Sequence, residues 1–178
     1  MDYIFITGLI GSLILVTGAA WPEGKDLTHP IKSKKNWLFA IGSVFMLTYS
    51  LFGYFYADGP IFFAFLQGFI AVASIMMMLN TGDKTDIAVM SLAGIGFTAW
   101  SLTLFEGYTT IIFILGLVGI GLGYALQMGT ARRSFALTAG SILIAIFSYM
   151  EASWIFFWLN VFFAIFSGYY LMKILRKK

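Results

Sequence analysis

The sequence has no cysteine, so disulfides, thiolate metal sites and cysteine nucleophiles are excluded. Its single histidine, His29, excludes a multi-histidine metal centre. Only 3 prolines in 178 residues leave long stretches without a helix breaker. Charge is scarce: Asp, Glu, Lys and Arg make up 11% of the chain, against about 25% in an ordinary soluble domain. What is present instead is apolar. Hydrophobic residues account for 60% and aromatic residues for 19%, with 19 Phe, 9 Tyr and 5 Trp. Disorder, a coiled coil and a secreted disulfide scaffold do not fit this composition. An integral membrane protein does.

A helix crosses the hydrocarbon core with about 20 mostly apolar residues. Seven stretches meet that length within a few residues at each end: Tyr3 to Ala20, Trp37 to Phe55, Pro60 to Leu79, Ile87 to Phe105, Ile111 to Met128, Phe135 to Met150 and Ser153 to Ile174. Turn chemistry separates them at Asp58-Gly59-Pro60, Thr81-Gly82-Asp83 and Glu106-Gly107. A β-barrel would alternate apolar and polar residues over about ten positions. These runs are apolar on every face, so the expected class is all-α integral membrane.

Charge placement supports the count. With the N-terminus outside, Lys25, Lys32, Lys34 and Lys35 fall in the first inner loop, Lys84 in the second, and Arg132 and Arg133 in the third. Lys173, Arg176, Lys177 and Lys178 end the chain inside, so all 11 basic residues share one side. The other side carries only Asp2, Asp58, Glu106 and Glu151. The positive-inside rule then predicts a multi-pass protein of the cell inner membrane, N-terminus out and C-terminus cytoplasmic. The first span is expected to be retained rather than cleaved, because Met1-Asp2 lacks the basic start of a signal peptide.

Three pairs of segments repeat in order. Phe5 with Gly8-Leu9-Ile10-Gly11 matches Phe113 with Gly116-Leu117-Val118-Gly119. Trp37 to Ser43, followed by Tyr49-Ser50, matches Phe135 to Ser141, followed by Phe147-Ser148. Phe65-Leu66-Gln67-Gly68-Phe69 matches Trp158-Leu159-Asn160-Val161-Phe162. The reading is a duplication in a 3+1+3 arrangement: residues 1–80 form one three-helix repeat, 81–108 a linker helix, and 109–178 the second repeat. An odd linker lets the two repeats lie parallel, a known transporter plan with its site between the halves.

A chain of this length and plan resembles the SWEET-like superfamily, and within it the nicotinamide riboside transporters of the PnuC family. The shared features are Trp37 opening the second span, Tyr56-Ala57-Asp58 after it, and Gly168-Tyr169 before the basic Arg176-Lys177-Lys178. The Gly-Trp-x-x-Trp that often closes the third span in that family is replaced by Ala73-Ser74-Ile75-Met76, and a Pro-Gln motif is echoed only by Pro22-Glu23. The resemblance implies that Gln67 and Asn160 face the substrate path, with Trp158 as a stacking partner.

The residues themselves carry part of that reading. Gln67 and Asn160 are the most polar side chains well inside any span, and an amide both donates and accepts. They suit a hydroxylated neutral solute, or else they join packed helices. Trp158 lies two residues before Asn160 and so points to a different side of its helix, sharing a face with Trp154. Trp158 suits either a ring-stacking role or the membrane interface, and Trp154 the interface. Tyr49, Ser43, Ser50, Ser141 and Ser148 are candidates for lining a path.

No Asp, Glu, Lys or Arg lies deep in a span, where proton-coupled carriers place them. No nucleophile with a base, metal set, cofactor motif or nucleic-acid signal is present, so the chain is not expected to be an enzyme. The expected function is a facilitative transporter of a small neutral hydroxylated solute, a vitamin or nucleoside like nicotinamide riboside, or a sugar, working by alternating access. Its partners are then the solute and the bilayer, with a homo-oligomer left open. The alternative is a non-transporting membrane subunit of a larger complex.

Overall fold

The structure is a computed structural model that describes residues 3–21, 30–79, 83–126 and 129–176. The expectations placed on Asp2, Pro22-Glu23, Lys25, His29, Thr81-Gly82, Met128, Lys177 and Lys178 lie outside the described residues. The described residues form seven α-helices, one short 3₁₀ turn at Pro30–Lys32, and no strand. The helices are α1 (Tyr3–Ala20), α2 (Lys34–Tyr56), α3 (Ile61–Leu79), α4 (Asp83–Thr103), α5 (Tyr108–Ala125), α6 (Ala131–Met150) and α7 (Trp154–Leu175). All seven are long and apolar enough to cross a membrane. Lipid offers no hydrogen bonds to a backbone, so an apolar run must satisfy its amides internally, and the helix does so.

Helices start outside the apolar runs where a cap is available. Ser33 Oγ accepts from the Asn36 amide at 3.4 Å and starts α2 at Lys34, three residues before the apolar run at Trp37. Thr130 Oγ1 accepts from the Arg133 amide at 3.3 Å and starts α6 ahead of Phe135. Of the basic residues so included, Arg133 turns back to donate from Nη1 to the Leu126 carbonyl at 3.4 Å.

The chain divides into two compact units, Met1–Asp86 and Ile87–Lys178, with the division inside α4. In the first unit α1 packs on α2 and α2 on α3. The α1–α2 contact is built on glycine. A Cβ at Gly11 would lie 3.0 Å from the Met46 amide nitrogen, and one at Gly42 would lie 2.7 Å from Leu15 Cγ. Gly18 sits against Leu38 and Phe39. In lipid, helices associate through such close approach rather than through hydrophobic drive. The turn from α2 to α3 folds back on Gly53, whose carbonyl accepts from both the Ala57 and Gly59 amides at 3.0 Å. A side chain at Gly59 would press on the Gly53 backbone at 3.1 Å. At the other end of this pair, Asn36 Nδ2 donates to the Met77 carbonyl at 3.4 Å, and Trp37 Nε1 donates to the Ile31 carbonyl at 2.8 Å.

In the second unit α5 packs on α6 and α6 on α7. Glycine again sets the first contact. A Cβ at Gly116 would lie 2.7 Å from Ile144 Cδ1, and Gly123 sits against Leu137. Gly140 is enclosed by backbone alone: its Cβ would lie 2.6 Å from the Ile120 nitrogen and 2.9 Å from the Gly116 oxygen. Phe113 and Phe147 close this contact with ring centroids 5.1 Å apart. The α6–α7 turn is tight, with Ala152 at φ 51° and the Ser153 amide bonded to the Ser148 carbonyl at 2.8 Å.

Candidate functional site

A membrane-embedded polar side chain needs a partner, because hydrocarbon supplies none. Five of the buried serines find theirs on their own helices. Ser43 donates to the Ala40 carbonyl, Ser50 to Leu47, Ser74 to Ile70, Ser101 to Phe97 and Ser148 to Ile144, all within 2.7–2.9 Å. Each of these hydroxyls commits its proton to its own helix and keeps its acceptor lone pairs.

Gln67 is the exception. It lies near the middle of α3, the helix with the largest share of buried residues in its span, and its own exposure is 0%. Neither Oε1 nor Nε2 has a hydrogen-bond partner among the described residues. Phe63, Leu66 and Ile70 share its buried stretch of helix. The site is therefore a neutral donor and acceptor pair held in apolar surroundings. It can bind a group that both accepts and donates, such as a hydroxyl or a carboxamide. It offers nothing to offset a full charge.

Asn160 is also buried, at 5% exposure, in α7. Its shorter side chain reaches back along the helix, and Nδ2 donates to the Phe156 carbonyl at 2.8 Å. The two amides thus differ in hydrogen-bonding state: Asn160 is bonded to its own helix, and Gln67 is unpartnered among the described residues. Their units are separate bodies, and each amide is placed within its own.

Trp158 and Asn160 do not share a face. Asn160 is buried while Trp158 is 55% exposed, as a separation of two helical residues requires. The Trp158 ring packs against Phe157 at 5.1 Å and Phe162 at 6.5 Å. Trp154 is exposed beside Tyr149 and Phe157, with ring centroids 5.9 and 6.0 Å away. Tyr49 is half-buried in α2, the helix that packs on α3.

Outside the spans, one titratable group among the described residues is clearly perturbed. Glu151, at the α6–α7 turn, is held above a carboxylate's ordinary value, first by burial and then by the charge of Glu106. Groups of three or more His, Cys, Asp or Glu residues able to hold a metal are absent among the described residues. The unpartnered amide was not readable from sequence: Gln67 stands out there as polar, but its lack of a partner depends on what packs around it. Compared with protein-family models, curated proteins and solved structures, the chain matches none.

Proposed function

We propose that the chain is a facilitative transporter of a small neutral hydroxylated solute, in the cell inner membrane, with its N-terminus outside and its C-terminus cytoplasmic. The observation that carries this reading is the Gln67 amide, fully buried with both polar atoms unpartnered among the described residues. Two orphaned groups at about 1–3 kcal/mol each are a standing cost to the empty protein. A solute hydroxyl or carboxamide removes that cost. The absence of charge at the site favours a neutral solute such as a nucleoside-like vitamin or a sugar.

The packing of the two units supports a 3+1+3 duplication. Gly11, Leu15 and Gly18 of α1 meet Met46, Gly42 and Phe39 of α2. Gly116, Ile120 and Gly123 of α5 meet Ile144, Gly140 and Leu137 of α6. One shift relates α1 to α5 and one shift relates α2 to α6 throughout. In α3 and α7 the buried sets Phe63, Leu66, Gln67 and Phe156, Leu159, Asn160 follow the same rule. This register pairs Gly11 with Gly116, one helical turn from the Gly8–Gly116 match in the sequence. Two like halves with an amide in each are suited to alternating access. Uncoupled movement fits the spans themselves: among the described residues, no Asp, Glu, Lys or Arg lies in a helix beyond its first or last turn.

The test is uptake by purified protein in liposomes, with nicotinamide riboside, nucleosides and hexoses as the panel. Saturable uptake that equilibrates is expected for one member. Uptake no faster than in protein-free liposomes, or accumulation driven by an imposed proton or sodium gradient, overturns the proposal.

A further inference from the structure

Gln67 has a buried polar counterpart on the helix that packs against α3. The α2–α3 pair is pinned at both ends: the Gly59 amide donates to the Gly53 carbonyl at 3.0 Å, and Asn36 Nδ2 donates to the Met77 carbonyl at 3.4 Å. Ten residues in from the first bond, Ser43 of α2 stands level with Phe69 of α3. Seven residues in from the second, Ser43 stands level with Ile70. The two counts agree to one residue. At 1.5 Å per residue, Gln67 is offset from Ser43 by about 3–5 Å along the helix axes. Spacing puts both on the stripes that meet. Ser43 is two turns from Asn36, which reaches α3, and Gln67, Ile70 and Met77 follow the three-and-seven spacing of one helix face. Ser43 is 1% exposed and Gln67 0%. The second unit repeats the arrangement independently. There the Ser153 amide donates to the Ser148 carbonyl, and seven residues in from that bond along each helix stand Ser141 and Asn160, both buried.

We propose that Ser43 is a second solute-binding residue, acting with Gln67 on a vicinal diol of the kind carried by a ribose or a pyranose. Ser43 has this role only if the chain carries a solute as proposed above. The Ser43 hydroxyl gives its proton to the Ala40 carbonyl at 2.9 Å and keeps its acceptor lone pairs. Gln67 adds an acceptor in Oε1 and a donor in Nε2, both unpartnered among the described residues. Two acceptor oxygens at nearly one level call for two donors. A single solute hydroxyl has one proton and satisfies one of them. Two hydroxyls on adjacent carbons satisfy both, and Nε2 returns a bond to a hydroxyl oxygen. A solute with only one hydroxyl leaves one acceptor without a donor, which costs affinity in a buried site.

Ser43→Ala removes the acceptor and keeps a residue that favours a helix. The probes are radiolabelled nicotinamide riboside, uridine and glucose, each with its deoxy analogues, and equilibrium binding to the purified protein in nanodiscs is the readout. For a probe that the parent binds, removing one hydroxyl of the diol should weaken binding by about 5- to 150-fold. Ser43→Ala should weaken the intact probe by a similar factor, and the same deoxy analogue should then lose nothing further. Ser12→Ala in α1, whose hydroxyl donates to the Leu9 carbonyl at 2.9 Å, is the control and should match the parent. A Ser43→Ala protein that keeps the parent's affinity and its preference for the diol overturns the proposal, and if Gln67→Leu still weakens binding, the transport reading stands without Ser43. An affinity loss in Ser43→Ala equal for intact and deoxy probes marks a packing change and also overturns it. So does a parent that binds the intact probe and all its deoxy analogues equally. A parent that binds none of the probes overturns the transport reading, and Ser43's role with it.

Discussion

Replacing Gln67 by Leu separates a ligand site from a structural bond. In the structure the amide is fully buried and both its polar atoms are unpartnered among the described residues. Leu removes two groups that each cost about 1–3 kcal/mol when buried unsatisfied. Against this stands the misfit of a shorter, branched side chain, usually below about 1.5 kcal/mol. The empty Gln67→Leu protein should therefore be more stable than the parent by about 0.5–6 kcal/mol. Unfolding in lipid nanodiscs, followed by fluorescence of the 5 tryptophans, measures this. A domain of this size gains about 2–4 °C in Tm for each kcal/mol. Affinity for the transported solute should move the other way, weakening by about 5- to 150-fold for each lost hydrogen bond. Asn160→Leu is the internal comparison. Its Nδ2 bonds to its own helix at Phe156, so its loss should leave stability nearly unchanged. If Gln67→Leu instead lowers Tm, by the roughly 0.6–2 kcal/mol of an interhelical bond, the amide is helix glue and the reasoning is wrong.

The backbone enclosure of Gly140 predicts that Gly140→Ala destabilises by about 1–3 kcal/mol or more, since no flexible side chain can yield. Gly53→Ala, where a Cβ meets nothing within 4 Å, should be neutral or slightly stabilising in the same unfolding assay. Single cysteines at Gly59 and Arg176 should label from opposite sides of intact cells, and labelling of both from outside refutes the seven-span topology. Glu151 binds its proton more tightly in the folded state, so stability should be greater below the ordinary carboxylate range and fall as pH rises through the raised value. Glu151→Gln should then be the more stable form at neutral pH and lose that advantage in acid; a gap independent of pH between the two Tm curves counts against this.

The helix count was legible because an all-apolar run of membrane length has one stable backbone solution in lipid. Helix ends were less so. The apolar runs begin at Trp37 and Phe135, yet α2 and α6 begin at Lys34 and Ala131, because Ser33 and Thr130 cap them there. Likewise α4 opens on Asp83 and Lys84 rather than at Ile87. The fourth helix carries its charge in the turn that precedes the apolar run.

The site was half legible for a related reason. A lone glutamine in an apolar helix is conspicuous, and the opposed faces of Trp158 and Asn160 follow from helical spacing alone. Register among glycines is different. Spans one and five offer Gly8, Gly11 and Gly18 against Gly116, Gly119 and Gly123, and sequence similarity is nearly indifferent to a shift of one turn. Packing is not indifferent, because only a glycine facing the neighbouring backbone permits close approach. Gly11 against Met46 and Gly116 against Ile144 occupy that position, and it is this pairing that the proposed duplication uses. Partnering obeys the same logic. Asn160 and Gln67 are chemically alike, yet one reaches a carbonyl four residues back on its own helix while the other, one methylene longer, leaves both amide atoms unbonded among the described residues. The difference between a self-bonded amide and an unbonded one thus lies in side-chain length and local packing.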